Sequence, residues 1–189
     1  MLWLLEVVHV LEAITKIAAA VMLIVIATFP VGGQGKEEIT PVTEVVEDMT
    51  ELQARKWNWI CNTLEEARRQ EARRQIIARI DNYLAARSSP MQGLGHVFVE
   101  QAERFNIDPR LSVAIAEGES SCGKCCFAPY NAWGMLAYGN CGSWENGIRL
   151  NIELLHENWG SPKTAYDCRG YCDPDHPWME NVDGVRGKI

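Results

Sequence analysis

The stretch that decides the fold is "AIAEGESSCGKCCFAPYNAWG", Ala114–Gly134. It opens as the end of an apolar helix, with Leu111, Ala114 and Ile115 on one face. It then places Glu117, Glu119, three cysteines and a loop carrying Tyr130, Trp133 and Gly134 within twenty-one residues. Just upstream, "NIDPRL" is a helix start: Asp108 can cap, and Pro109 suits the first helical position. The helix is expected from Pro109 to about Glu119. A shorter helix fits "HVFVEQAERF" at 96–105 before it. Downstream, Ser143 can cap a helix over Trp144–Asn158, with Gly160 just past its end. Its apolar stripe is Trp144, Ile148, Ile152 and Leu155. The tail "HPWMENVDGVRGKI" can add a last short helix. No alternating strand pattern occurs, so the fold class is all-α.

The chain has 189 residues, enough for one ordinary domain with appendages. The net charge is −7, and residues 96–189 carry thirteen acids against eight Lys and Arg. An acidic surface of this kind excludes nucleic acid as a bulk partner, because phosphate binding needs a basic one. Neither a phosphate-binding Gly-rich loop nor a His-Glu-x-x-His metal motif occurs. Cys61 stands alone, while Cys122, Cys125, Cys126, Cys141, Cys168 and Cys172 cluster in the last third. Six clustered cysteines suit a disulfide set in an oxidising compartment. A zinc site from Cys122-x-x-Cys125 and Cys168-x-x-x-Cys172 is the competing reading, and spacing gives no connectivity.

Residues 2–29 are almost wholly apolar, and Ile17–Phe29 is free of charge. Those thirteen residues are short of the ~20 that span a bilayer as a helix, so a span must borrow from the segment before them. There Glu6, His9, Glu12 and Lys16 fall on one helical stripe, with Glu12 placed to pair Lys16. A single-pass membrane anchor over 1–30 is the reading carried forward. A cleaved signal peptide and a buried helix are its alternatives. The Gly-, Pro- and acid-rich residues 31–50 form a linker. A long helical stalk follows over 51–88, containing the duplication "EARRQ" at 66–70 and 71–75. Its apolar positions are interrupted by Glu71 and Arg74, so no heptad is sustained. Its arginines form either a solvated face of Glu–Arg pairs or a contact for an anionic wall polymer or lipid surface. "RSSPMQGLG" at 87–95 marks a second linker, bounded at 89–95, and residues 96–189 form the domain.

Glu119 lies where a mostly apolar helix ends. A carboxyl at the negative end of a helix dipole, partly withdrawn from water, is suited to carry the proton that general acid catalysis delivers. The loop at Tyr130–Gly134 offers an aromatic surface and a close backbone approach for a sugar ring. The ordered pieces "DPRLSVAIAEGES", "YNAWGM", "SWENGIR" and "DHPWMENV" resemble the lysozyme-like catalytic domain shared by bacterial glucosaminidases and lytic transglycosylases. The branch nearest in pattern is the mannosyl-glycoprotein endo-β-N-acetylglucosaminidase-like one. The resemblance spans about residues 96–189. It implies a small lysozyme-like helical catalytic domain that cuts β-1,4 bonds between N-acetylated amino sugars of peptidoglycan, without a cofactor or metal. It implies Glu119 as the catalytic acid/base, with Ser120 beside it. It implies that Tyr130, Asn131, Trp133, Gly134 and Met135 form the wall that holds the glycan. Tyr166 or Tyr171 stands in for a later tyrosine motif. Leu136 occupies the place where many lytic transglycosylases have Gln, which favours the glucosaminidase branch. A second carboxylate is not given by spacing; Glu145, Asp167 and Asp173 are candidates by position. Such a domain belongs outside the membrane, tethered to lipid by the N-terminal segment. The cysteines are then clamps on the aromatic loop. A catalytically silent wall-binding protein on the same fold is the alternative, and a zinc-dependent interaction module a third.

Overall fold

The computed structural model describes residues 42–172 and 177–189, with side chains from residue 50 onward. The expected anchor at 1–30 and most of the first linker lie outside the described residues. Among the described residues no helix is long and apolar enough to cross a membrane. The chain divides into two units, Met1–Ala54 and Arg55–Ile189. Everything below concerns the second, apart from the first turns of its leading helix.

The described residues are helical, with no strand. Helix α1 runs Val42–Ala86, α2 Gly95–Arg104, α3 Pro109–Ser120, α4 Trp144–Trp159 and α5 Trp178–Arg186, with a 3-10 turn at Ala165–Asp167. The all-α expectation is met in these elements. The helix ends follow the local chemistry read from the sequence. Asp108 is extended and its side chain accepts the Arg110 amide at 3.0 Å, with Pro109 next to it. Ser143 accepts the Asn146 amide at 3.1 Å, and Gly160 follows α4 with φ +74°.

Helix α3 is the centre of the domain. Its residues from Leu111 through Ala116 are all buried, so no face of this segment meets water. The sequence reading put only Leu111, Ala114 and Ile115 on a buried face. A helix that is apolar all round belongs in the middle of a bundle. Ser112, Ala114 and Ala116 are small, which lets neighbours approach α3 closely. Helices α2, α4 and α5 pack around it. Phe98, Val99 and Ala102 come from α2, Ile148, Ile152 and Leu155 from α4, and Trp178 and Val182 from α5. A polar pair lies in this core: Ser112 Oγ donates to Asn151 Oδ1 at 2.7 Å, while Asn151 Nδ2 is buried without a hydrogen-bond partner among the described residues.

Two boundaries differ from the sequence reading. Helix α1 begins at Val42, so residues 42–50 of the expected linker are helical. Their acids and β-branched residues mask the helix in the sequence. The second linker is not a linker. Ile80, Leu84 and Met91 are wholly buried in the same core as α2 and α3. Ser89 is buried too; its hydroxyl donates to the Cys122 carbonyl at 2.7 Å and accepts the Met91 amide at 3.0 Å. Asp81 accepts the Gly95 amide at 2.7 Å, tying α1 to the start of α2. The Gly, Ser and Pro content of 87–95 thus encodes a tight packed turn, and the domain includes the last turns of the supposed stalk. Earlier in α1 most side chains are exposed and pair along the helix, as Arg74 does with Glu71. Arg73 reaches Glu103 on α2 at 3.1 Å.

Because Leu84 fills a core position from α1, Leu84→Ala should destabilise the domain by about 2–5 kcal/mol. A shift in the urea midpoint measures this; a cost within the range of surface substitutions would place Leu84 on a free stalk after all. Asp108 supplies a second check. Burial raises its carboxyl, but hydrogen bonds from the Arg110 side chain and amide and from Arg186 outweigh burial and hold it below the usual range. Its folded value lies below its unfolded one, so its stabilisation is present above about pH 4 and is lost as pH falls through the depressed value. The stability gap between the natural chain and Asp108→Asn should therefore narrow between pH 5 and pH 2 in urea melts. A gap constant with pH would mean the carboxylate charge contributes nothing.

Candidate active site

The end of α3 is built for an abrupt stop. Ser121 and Cys122 both take left-handed backbone (φ +52° and +56°), and Gly123 follows at +87°. Two successive non-glycine residues in this region store strain that the surroundings must hold. The Ser121 and Cys122 amides return to the Glu117 and Ala116 carbonyls at 3.0 and 2.9 Å. Ser120 is the staple: its buried hydroxyl lies 2.8 Å from the Ala132 carbonyl and accepts the Gly123 amide at 2.8 Å. The same side chain thereby fixes both the helix end and the 130–135 loop. Ser120, expected beside Glu119 as a substrate contact, is instead a buried positioning residue.

Glu119 sits one residue before this staple and is exposed. Its Oε1 accepts the Trp178 Nε1 hydrogen at 3.1 Å. Its Oε2 faces Gly134, where a methyl group would stand only 3.4 Å away. Gly134 has φ +67°, a conformation that itself favours glycine. The carboxyl is therefore steered by one indole donor and by bare backbone, with its remaining surface open to solvent. Trp178 stacks on Tyr171, with centroids 4.7 Å apart and planes 13° from parallel. Tyr171 in turn donates its hydroxyl hydrogen to the Trp133 carbonyl at 3.2 Å. Burial, and after it the Glu119 carboxylate, push the Tyr171 phenol above its ordinary range, so it serves as a neutral donor.

Of the expected site residues, Glu119, Gly134 and Tyr171 come together. Trp133 does not join them. It is buried, donates Nε1 to the Ser112 carbonyl at 2.9 Å and tilts against Phe98 at 6.3 Å, so it is core. Asn131 is also buried. Its amide nitrogen donates to the Met135 and Gly139 carbonyls at 2.9 Å each, and its oxygen accepts the Met135 amide at 3.0 Å. It holds the loop in shape, and Met135 packs inward beside it. Tyr130 stands edge-on to Trp144 at 5.3 Å in a separate pocket. Tyr166 is half exposed on the 3-10 turn. An aromatic residue in a loop reads alike from sequence whether it faces solvent or the core, which is why Trp133 was misplaced. Trp178 was missed as a site residue. Its signal was the lone tryptophan opening the tail helix, within a segment singled out for its pattern only.

Glu117, two residues before Glu119, is engaged elsewhere. It pairs with Arg87 at 3.0 Å and accepts the Cys122 thiol at 3.1 Å. Among the candidates for a second acid, Asp167 caps the 3-10 turn. It accepts the Lys163 and Thr164 amides and the Thr164 hydroxyl at 2.9 Å each, which holds its carboxyl below the usual range. Glu145 is exposed on α4, and Asp173 lies outside the described residues.

All seven cysteines are free thiols, so Cys122, Cys125, Cys126, Cys141, Cys168 and Cys172 do not clamp the loop in this structure. Asn131 and Ser120 do that work instead. Burial, then the Glu117 bond, pushes the Cys122 thiol far up; burial and the neighbouring Asp167 and Asp183 push Cys168 up to about 12. Cys125 and Cys172 are exposed. No group of three or more His, Cys, Asp or Glu among the described residues is placed to hold a metal ion, so the two spaced cysteine pairs do not assemble a zinc site there.

No protein-family model matches this chain, and no curated protein sequence matches it.

Asn131→Ala would strip three backbone groups, two of them buried, of their partner. The expected cost is about 2–3 kcal/mol, accompanied by faster hydrogen exchange at the Met135 amide. An unchanged exchange rate would show that the loop holds its shape without this side chain.

Proposed function

We propose that this domain is a glycosidase that cuts peptidoglycan glycan strands at β-1,4 bonds between N-acetylated amino sugars, with Glu119 as general acid/base. The observation that carries the reading is the setting of Glu119. It is an exposed carboxyl at a helix end, oriented by the Trp178 indole and opposite bare backbone at Gly134. A group so held can approach a glycosidic oxygen and pass it a proton, and the absent side chain at Gly134 leaves room for a sugar. The resemblance of "AEGES", "YNAWGM" and "SWENGIR" to lysozyme-like glucosaminidases and lytic transglycosylases supports the same reaction class. The protein acts outside the membrane, tethered by its N-terminal segment.

In this mechanism Glu119 protonates the leaving oxygen as the bond breaks and positive charge builds at the sugar's anomeric carbon. The described carboxylates Glu117 and Asp167 are bound to other groups. The substrate's own N-acetyl oxygen is then the group that meets the developing charge. That chemistry ends either in hydrolysis or in an intramolecular anhydro-sugar. The second reading, a silent wall-binding protein, draws on the same engagement of the other carboxylates.

Glu119→Gln keeps size and hydrogen bonding but removes the transferable proton. Cell-wall clearing should fall about 10²- to 10⁴-fold. Equal clearing by both proteins removes Glu119 from the mechanism, and no soluble product from the natural chain favours the binding protein. Mass spectrometry of the products separates the routes by their ends: reducing N-acetylglucosamine, reducing N-acetylmuramic acid or 1,6-anhydro-N-acetylmuramic acid.

A further inference from the structure

A second concave surface lies on the loop that follows α3, apart from the residues that surround Glu119. It is a pocket of about 410 Å³ whose lining includes Gly123, Lys124, Phe127, Pro129, Tyr130 and Trp144. It is an open concavity, so a ligand there would keep one side in water. Its construction is specific. A methyl group on Gly123 would stand 2.9 Å from the Trp144 ring and 3.3 Å from Pro90, so glycine is what lets the indole lie against this turn. Tyr130 holds φ +60°, unfavourable for a bulky residue, and meets the Trp144 ring edge-on. Phe127 is 59% exposed and Tyr130 39% exposed, a concentration of aromatic surface that folding alone does not account for. Lys124 is exposed and has no ion-pair partner among the described residues.

Aromatic walls take the apolar face of a pyranose ring, and a free ammonium beside them takes an anion as a point charge. A neutral sugar would leave Lys124 unused. A simple anion would leave the aromatic walls wet. We propose that this pocket is a binding subsite for a sugar ring bearing a carboxylate substituent, with the ring against Phe127, Tyr130 and Trp144 and the carboxylate on Lys124. The choice of a sugar rests on the glycan-cleaving reading above. The subsite adds to that reading a means of telling strand sugars whose lactyl carboxylate is free, those without a stem peptide, from a neutral N-acetylglucosamine polymer.

The test measures binding to the full chain carrying Glu119→Gln, so that no probe is consumed. The probes are the disaccharide N-acetylglucosaminyl-N-acetylmuramic acid with its lactyl carboxylate free, and neutral N,N′-diacetylchitobiose. Calorimetry gives the affinities, and amide shift changes in two-dimensional NMR give the location. Lys124→Gln should weaken the acidic disaccharide about three- to fivefold, as for an exposed ion pair, and leave chitobiose unaffected. Phe127→Ala should weaken both about tenfold. Shift changes should centre on Gly123–Tyr130. Equal binding of the two probes with indifference to Lys124→Gln overturns the proposal, as do shift changes confined to Glu119 and Trp178. The two readings fail separately. A natural chain that clears cell walls but lacks these binding differences keeps Glu119 and loses the subsite. A chain that shows them but releases no soluble product keeps the subsite and loses the glycosidase.

Discussion

The constraint on which the domain depends is the burial of α3 on every side. Leu111 through Ala116 expose nothing to water, so each remaining element must supply a face to cover them. That requirement recruits α2, α4 and α5, and it reaches back into α1 for Ile80 and Leu84. It also dictates how α3 must end. A helix surrounded by others can present only its tips to solvent, and Glu119 is on the tip. The Ser120 hydroxyl then fastens that tip to the loop at Ala132 and to the Gly123 amide. The strained turn at Ser121–Gly123 survives because these bonds and the Ser89 contact to the Cys122 carbonyl over-determine it. The candidate acid is thus held by the most buried helix of the fold, and its orientation is a product of core packing.

Much of this was legible in the sequence, for identifiable reasons. The starts of α3 and α4 were readable because Asp108-Pro109 and Ser143 act locally, through hydrogen bonds to amides two and three residues on. Glu119 was readable because its place at a helix end depends on the same local grammar. What was not legible depends on partners distant in the chain. Trp133 and Asn131 look like a polar-aromatic binding loop. They are instead a core anchor and a loop staple, since their partners are Ser112, Met135 and Gly139. Trp178 joins the site from 59 residues away, and no spacing rule spans that distance. The boundary drawn at 89–95 failed for a related reason. Gly, Pro and Ser specify a turn, and a turn that is packed has the same composition as one that is free.

The cysteines illustrate the limit of composition as evidence. Six in one segment suggested a covalent framework, yet the loop they surround is fixed by amide and hydroxyl hydrogen bonds, and burial raises the pKa of two of the thiols, Cys122 and Cys168. The same loop has two faces with different chemistry. Gly134 serves the carboxyl of Glu119, while Tyr130 turns to Trp144.

The merging of α1 with the core also has a mechanical meaning. From Arg55 to Ala86 the helix extends about 48 Å at 1.5 Å per residue. Its final turns are core, and the turn after them is bonded through Ser89 to the strained corner at Cys122, three residues from Glu119. That junction is packed and hydrogen-bonded. Within the unit Arg55–Ile189 the end of the long helix and the turn that carries Glu119 therefore belong to one packed body.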